Sequence, residues 1–175
     1  MSKFIDPASI VAQIGLQNGQ TVADLGCGSG FYALAAARAV GNTGIVYAID
    51  VQEAKLTATQ SAARQNGLKN ITVLKADLDR PLLDIAESSC DAVILASVIH
   101  EVESRETLMK NAYRLLKTGG TLLAVEWQKR ATPIGPDMAK RVSQEELEQL
   151  LNKVGLRKAK ELQTDGFHYA LMFIK

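Results

Sequence analysis

The sequence predicts an α/β protein: a doubly wound, mostly parallel sheet of seven strands between two helical layers, ending in an antiparallel hairpin. Three observations carry this. Short apolar strands alternate with helical segments along the chain, which is the pattern of βαβ units. The run Asp91 to Ala96 is almost continuously apolar, as in a strand buried on both faces. The last two strands have no helix between them, only Thr164-Asp165-Gly166, so they must pair antiparallel.

Each element follows from local chemistry. Asp6-Pro7 places a capping carboxylate before a proline at the first helical position and starts a short helix to about Ile14. Strand one is Thr21 to Leu25. The next helix, Phe31 to Val40, is apolar on nearly every side except Arg38, so it packs on a sheet. Strand two is Ile45 to Ile49, closed by Asp50. A helix from about Gln52 to Gln65 precedes Gly67, a suitable C-terminal cap. Strand three is Ile71 to Lys75 and strand four Asp91 to Ala96. The stripe Leu108, Ala112, Leu115, Leu116 marks a helix from near Ser104, stopped by Gly119-Gly120 ahead of strand five, Thr121 to Glu126. Ser143-Gln144-Glu145-Glu146 reads as a capping box, with Val142 and Leu147 placed as a hydrophobic staple. That last helix ends at Gly155. The hairpin strands are about Arg157 to Leu162 and Tyr169 to Ile174. Residues 1–175 are expected to form one domain, with residues 1–20 as an N-terminal helical segment.

Composition narrows the function classes. A hydrophobic share of 47% and a charged share of 22% belong to an ordinary globular protein. A net charge of +1 gives no field to draw nucleic acid or an acidic membrane. Lys129, Arg130, Lys140 and Arg141 cluster, which suits a solvated loop or a site for an acidic substrate equally. Cys27 and Cys90 are too few for a disulfide framework and lack metal-ligand spacing, so no metal is expected. The start, Met1-Ser2-Lys3-Phe4-Ile5, lacks the apolar core of a signal peptide, and no apolar run reaches the ~20 residues of a membrane span. A soluble, cytoplasmic protein is the expectation.

The segment Val22-Ala23-Asp24-Leu25-Gly26-Cys27-Gly28-Ser29-Gly30-Phe31-Tyr32 carries most of the functional information. It is a strand, a glycine turn and a helix start, a geometry that turns backbone N–H groups toward a ligand. A dinucleotide fingerprint needs G-x-G-x-x-G; here Phe31 holds the position of the third glycine. Asp24 would repel a pyrophosphate but suits a ligand with an ammonium group. The segment closely resembles the first motif of class I S-adenosylmethionine-dependent methyltransferases. The order of elements is similar to that family's Rossmann-like seven-stranded fold over essentially the whole chain.

The resemblance implies a cofactor, S-adenosylmethionine, and a set of contacts. Asp24 with Gly26, Cys27, Gly28 and Gly30 would hold the methionine end. Asp50, with Val51 beside it, would accept the ribose hydroxyls. Asp77 would take the adenine amino group while Ala76 and Leu78 flank the base. Ala96 would border the methyl group. Read alone, Asp50 could cap a helix and Asp77 start a turn; their place at consecutive strand ends favours the ligand. Toward the methyl acceptor, His100 is the candidate base, the alternative being that it shapes its loop. Trp127 is the candidate acceptor wall or cation–π partner of the sulfonium, the alternative being that it fills space beneath the loop. Residues 128–142 look like a lid.

Ser97-Val98-Ile99-His100-Glu101-Val102 resembles the quinone-biosynthesis and small-molecule branch of the family, and no Asn-Pro-Pro-Tyr motif is present. The expected partner is a small-molecule acceptor, with a homodimer as one way to cover it. Two rivals stand beside this reading: a cofactor-binding domain without catalysis, and a nicotinamide-dependent oxidoreductase.

Overall fold

The computed structural model describes residues 5–175, so the Met1–Phe4 stretch lies outside the described residues. Its elements are α1 (Pro7–Ala12), β1 (Thr21–Leu25), α2 (Phe31–Val40), β2 (Ile45–Asp50), α3 (Glu53–Gln65), β3 (Ile71–Lys75), β4 (Cys90–Ala96), α4 (Arg105–Leu115), β5 (Leu116–Trp127), α5 (Gln144–Lys153), β6 (Arg157–Leu162) and β7 (His168–Ile174). The sheet runs β3-β2-β1-β4-β5-β7-β6. β1 pairs parallel with β2 on one side and β4 on the other. β7 is antiparallel to both of its neighbours, β5 and β6.

Side-chain alternation along the strands builds a core on each face. Ala23 and Leu25 of β1, with Val93 and Leu95 of β4, join the cluster that holds Leu108, Leu115, Leu147 and Leu151 of α4 and α5. Val22, Ala92 and Ile94 point the other way, into the cluster with Ile10 of α1, Ala33, Ala36 and Val40 of α2, and Leu56 of α3. The opposite face of the sheet is thus covered by a different set of helices, which is the three-layer arrangement expected. No helix among the described residues is long and apolar enough to cross a membrane.

The capping signals hold. The Asp6 carboxylate accepts the Ala8 N–H at 3.1 Å, and the Ser143–Glu146 box is closed in both directions. Two boundaries differ from expectation by more than one residue. α1 stops at Ala12, and Gln13 and Ile14 belong to the turn after it. β5 begins at Leu116, ahead of the glycine pair: Cys90 pairs with Leu116 and Ala92 with Thr121, so the glycines form an irregularity inside the strand.

Candidate active site

The sheet order reverses between β1 and β4, where ligands of open parallel sheets bind at the carboxyl ends of the strands. The turn after β1 is held firmly there. Gly26 and Cys27 donate their N–H groups to Ile49 O at 2.8 and 2.9 Å. Gly28 donates to the Asp50 carboxylate at 2.9 Å, and Thr59 Oγ1 of α3 donates to Gly28 O at 2.9 Å. Gly26 has φ +78, and a Cβ on it would lie 2.3 Å from Val98 Cγ2. Only glycine allows the turn and the loop after β4 to come so close.

Alternation places Asp24 on the face that α2 covers. It is 1% exposed, and neither carboxylate oxygen has a hydrogen-bond partner. The Ala33 N–H in the first turn of α2 faces it and draws its pKa down, without closing a hydrogen bond of full geometry; burial outweighs this and lifts the value to about 7. Asp50 is 8% exposed. One oxygen accepts Gly28 N–H and the other accepts Gln52 N–H, each at 2.9 Å. A carboxylate has about four acceptor positions, so lone pairs remain for a ligand's hydroxyls. Asp77 accepts the Asp79 N–H at 3.0 Å and meets Arg80 at 3.3 Å.

These groups surround a cavity of about 820 Å³. Of the residues expected at the cofactor, Gly26, Cys27, Gly28, Asp50, Val51, Asp77, Leu78 and Ala96 line it. Asp24, Gly30 and Ala76 do not. Asp24 is buried in β1, Gly30 sits against Thr59 and Leu34, and Ala76 donates its N–H to Asp50 O. Cys27 is 8% exposed, and burial pushes its thiol up to about 12, so it serves as a small apolar wall and not as a nucleophile. Sequence reasoning missed the outer wall: Ile5, Pro7, Phe31, Tyr32, Glu101 and Val102 also line the cavity. Phe31, noted only for not being glycine, is 71% exposed there.

Neither acceptor-side candidate lines this cavity. The side chain of His100 is 6% exposed and lies off the cavity. Its Nδ1 is 2.9 Å from Oε2 of Glu126, whose other oxygen accepts the Ile99 N–H at 2.8 Å. Glu126 is fully buried, so this pair fixes the loop that follows β4. The same loop starts at Ser97 with φ +54, a strained value for a residue with a side chain. Trp127 also lies off the cavity. Its ring packs on His168, centroids 4.1 Å apart, with the Arg141 guanidinium 5.5 Å from its centroid. These contacts are those of the alternative readings, His100 shaping its loop and Trp127 filling space beneath the loop that follows it.

Residues 128–142 do not line the cavity either. They are gathered around Arg141, which is 4% exposed and donates to the carbonyls of Gln128, Arg130, Ile134 and Pro136 at 2.9–3.1 Å. Lys129 pairs with Glu146, and Arg130 bonds to Gly166 O. Lys129, Arg130 and Arg141 of the basic cluster are thereby engaged by carboxylate and carbonyl partners within the protein.

Residues 16–166 match the family described as a methyltransferase domain. The chain belongs to that family. It is 32% identical over 116 residues, 66% of its length, to the ubiquinone/menaquinone biosynthesis C-methyltransferase UbiE of Haemophilus ducreyi. That match covers 44% of the relative, so the chain spans less than half the length of the curated relatives it matches. A SAM-dependent methyltransferase from Aquifex aeolicus superposes with a TM-score of 0.89 at 27% identity, covering 98% of this chain and 90% of the other. The arsenic(III) S-adenosylmethionine methyltransferase of Chlamydomonas reinhardtii gives 0.70 at 26% identity, covering 89% and 63%.

S-adenosylmethionine is the cofactor of this methyltransferase domain, and the residues present fit it. A buried carboxylate with both oxygens orphaned suits an ammonium group. Gly28 lines the cavity with nothing within 4 Å of where a Cβ would stand, so its backbone is open to a ligand. The strand-end carboxylates Asp50 and Asp77 offer acceptors to hydroxyl and amino donors.

Proposed function

We propose that this chain transfers a methyl group from S-adenosylmethionine to a small-molecule acceptor by in-line displacement. The observation that carries the reading is the single cavity wall shared by the glycine turn, Asp50 and Asp77 at the ends of β1, β2 and β3. Bound there, the cofactor supplies an electrophilic methyl carbon on a sulfonium, whose departure leaves a neutral thioether.

The chain's own residues bind and orient. Asp24, buried behind the turn, and the cavity-lining Gly26, Cys27 and Gly28 hold the amino-acid end, Asp50 with Val51 the ribose, and Asp77 and Leu78 the adenine. Ala96 and the braced loop after it close the side on which the methyl carbon would lie. Alignment of the nucleophile with that carbon supplies most of the rate gain in such a displacement, so rigidity of this loop matters more than a strong base. His100 contributes by holding the loop through Glu126. A base role would make His100→Gln lose turnover while cofactor affinity is kept, whereas the holding role weakens cofactor affinity.

Beyond the expected cofactor residues, the cavity wall includes the apolar Ile5, Pro7, Phe31 and Val102, with Gln52, Lys55, Asp79 and Glu101 as polar members. An uncharged acceptor with an apolar face fits this wall, in keeping with the UbiE relative, named for quinone biosynthesis.

The test is direct. Purified protein is incubated with methyl-labelled S-adenosylmethionine and fractionated small-molecule extracts, with S-adenosylhomocysteine binding followed by calorimetry. Label should appear in an organic-soluble product, and Asp50→Ala should weaken binding about 10- to 100-fold, the loss of one or two charge-assisted hydrogen bonds. Tight NADH binding without S-adenosylhomocysteine binding would sink the proposal. Cofactor binding with no transfer to any fraction would favour the non-catalytic rival.

A further inference from the structure

A second orphan lies on the sheet face that buries Asp24. Tyr32 occupies the second position of α2 and lines the cavity. Its ring packs against the same cluster that Ile5 joins, yet its hydroxyl is buried and has no hydrogen-bond partner among the described residues. Buried hydroxyls in folded proteins are nearly always paired. One that is unpaired, at the wall of a ligand cavity and on the same sheet face as an unpaired carboxylate, points to a ligand group that satisfies both.

We propose that the Tyr32 hydroxyl is a second anchor, with Asp24, for the α-ammonium of the cofactor. This rests on the methyltransferase reading above and adds to it a residue that the glycine motif does not include. Charge decides which end of the ligand is held. Burial and the carboxylates of Asp24, Asp165 and Asp6 all push the Tyr32 phenol up, so it stays protonated in a negative field. A negative field repels the cofactor's carboxylate and attracts its ammonium. An ammonium offers three donors and no acceptor. Asp24 takes one donor and the phenol oxygen another.

Ligands that differ only at this end test the assignment by calorimetry. S-adenosylhomocysteine carries both ammonium and carboxylate. Its decarboxylated form, S-adenosyl-3-thiopropylamine, keeps only the ammonium. 5′-Methylthioadenosine has neither. Tyr32→Phe keeps the ring and its packing. It should weaken the first two ligands about tenfold, as for a lost hydrogen bond to a charged group, and leave 5′-methylthioadenosine unchanged. Asp24→Asn should show the same selectivity, and the double variant should lose less than the product of the single losses because both groups serve one ammonium. Equal weakening of all three ligands would show a structural role and overturn the proposal. So would unchanged S-adenosylhomocysteine binding, or a loss confined to S-adenosylhomocysteine, which would assign Tyr32 to the carboxylate. If the unaltered protein binds none of the three, the cofactor reading itself fails, and that result is separate from any effect of Tyr32.

Discussion

Asp24→Asn should change the slope of stability with pH. The ordinary carboxyl value of 3.8 is lifted to about 7 by burial in β1. Over that interval the folded protein keeps a proton that the unfolded chain has released. Folding therefore takes up a proton, and stability falls as pH rises through the interval, levelling off above it. Each unit corresponds to about 1.4 kcal/mol, so the full shift is worth roughly 4 kcal/mol by about pH 8. Between about pH 5 and pH 8 the loss is on the order of 2–3 kcal/mol, or ~5–10 °C in Tm for a chain of this size. Asparagine has nearly the shape of the protonated acid and no charge to bury. The cofactor-free variant should therefore gain on the unaltered protein by that amount between the two pH values. Urea unfolding followed by the fluorescence of Trp127, repeated across the range, measures it. Parallel stability curves for the two proteins would refute the reasoning, since Asp24 would then ionise as readily in the folded protein as in the unfolded chain. With S-adenosylhomocysteine added the unaltered protein should lose much of its slope, because an ammonium beside Asp24 favours the ionised form.

Two further substitutions test the frame of the site. Gly26→Ala adds a Cβ 2.3 Å from Val98 at a φ of +78; it should cost about 2–4 kcal/mol in chemical unfolding and weaken cofactor binding at least tenfold, from strain and a displaced loop. Arg141→Ala leaves four carbonyls without their donor and removes the cation over Trp127. It should lower stability by roughly 2–4 kcal/mol and speed proteolysis within residues 128–142. Cofactor affinity should change less than threefold, because that loop does not line the cavity; a large affinity loss would show that it acts as a lid after all.

Strand ends were legible in the sequence because their signal is local. Alternation, capping pairs and glycine spacing sufficed to place Asp50 and Asp77 at consecutive strand ends, and both line the cavity. Orientation beyond the strand ends was not local. His100 looks like a base from its place in the chain, but Glu126, 26 residues later, turns it into a brace. Trp127 looks like an acceptor wall until His168, on the antiparallel strand beside it, takes its face. Arg141 reads as surface charge, and its burial depends on carbonyls that converge only when the loop closes on itself. Phe31 and Tyr32 line the cavity, but nothing in their spacing says that the first turn of α2 opens onto it.

The position of β7 has a consequence for how this sheet is assembled. β7 is made after β6 yet lies between β5 and β6. Until His168–Ile174 emerges from the ribosome, β5 is an unpaired edge along Leu122, Leu123, Ala124 and Val125, all fully buried in the finished protein. Apolar strand edges invite pairing with other chains. The parallel half of the sheet can form early, but the half that seats Trp127 and Glu126 waits for a partner from far along the chain, a slow class of contact. Newly made chains are thus most exposed to aggregation just before the site they will use is complete.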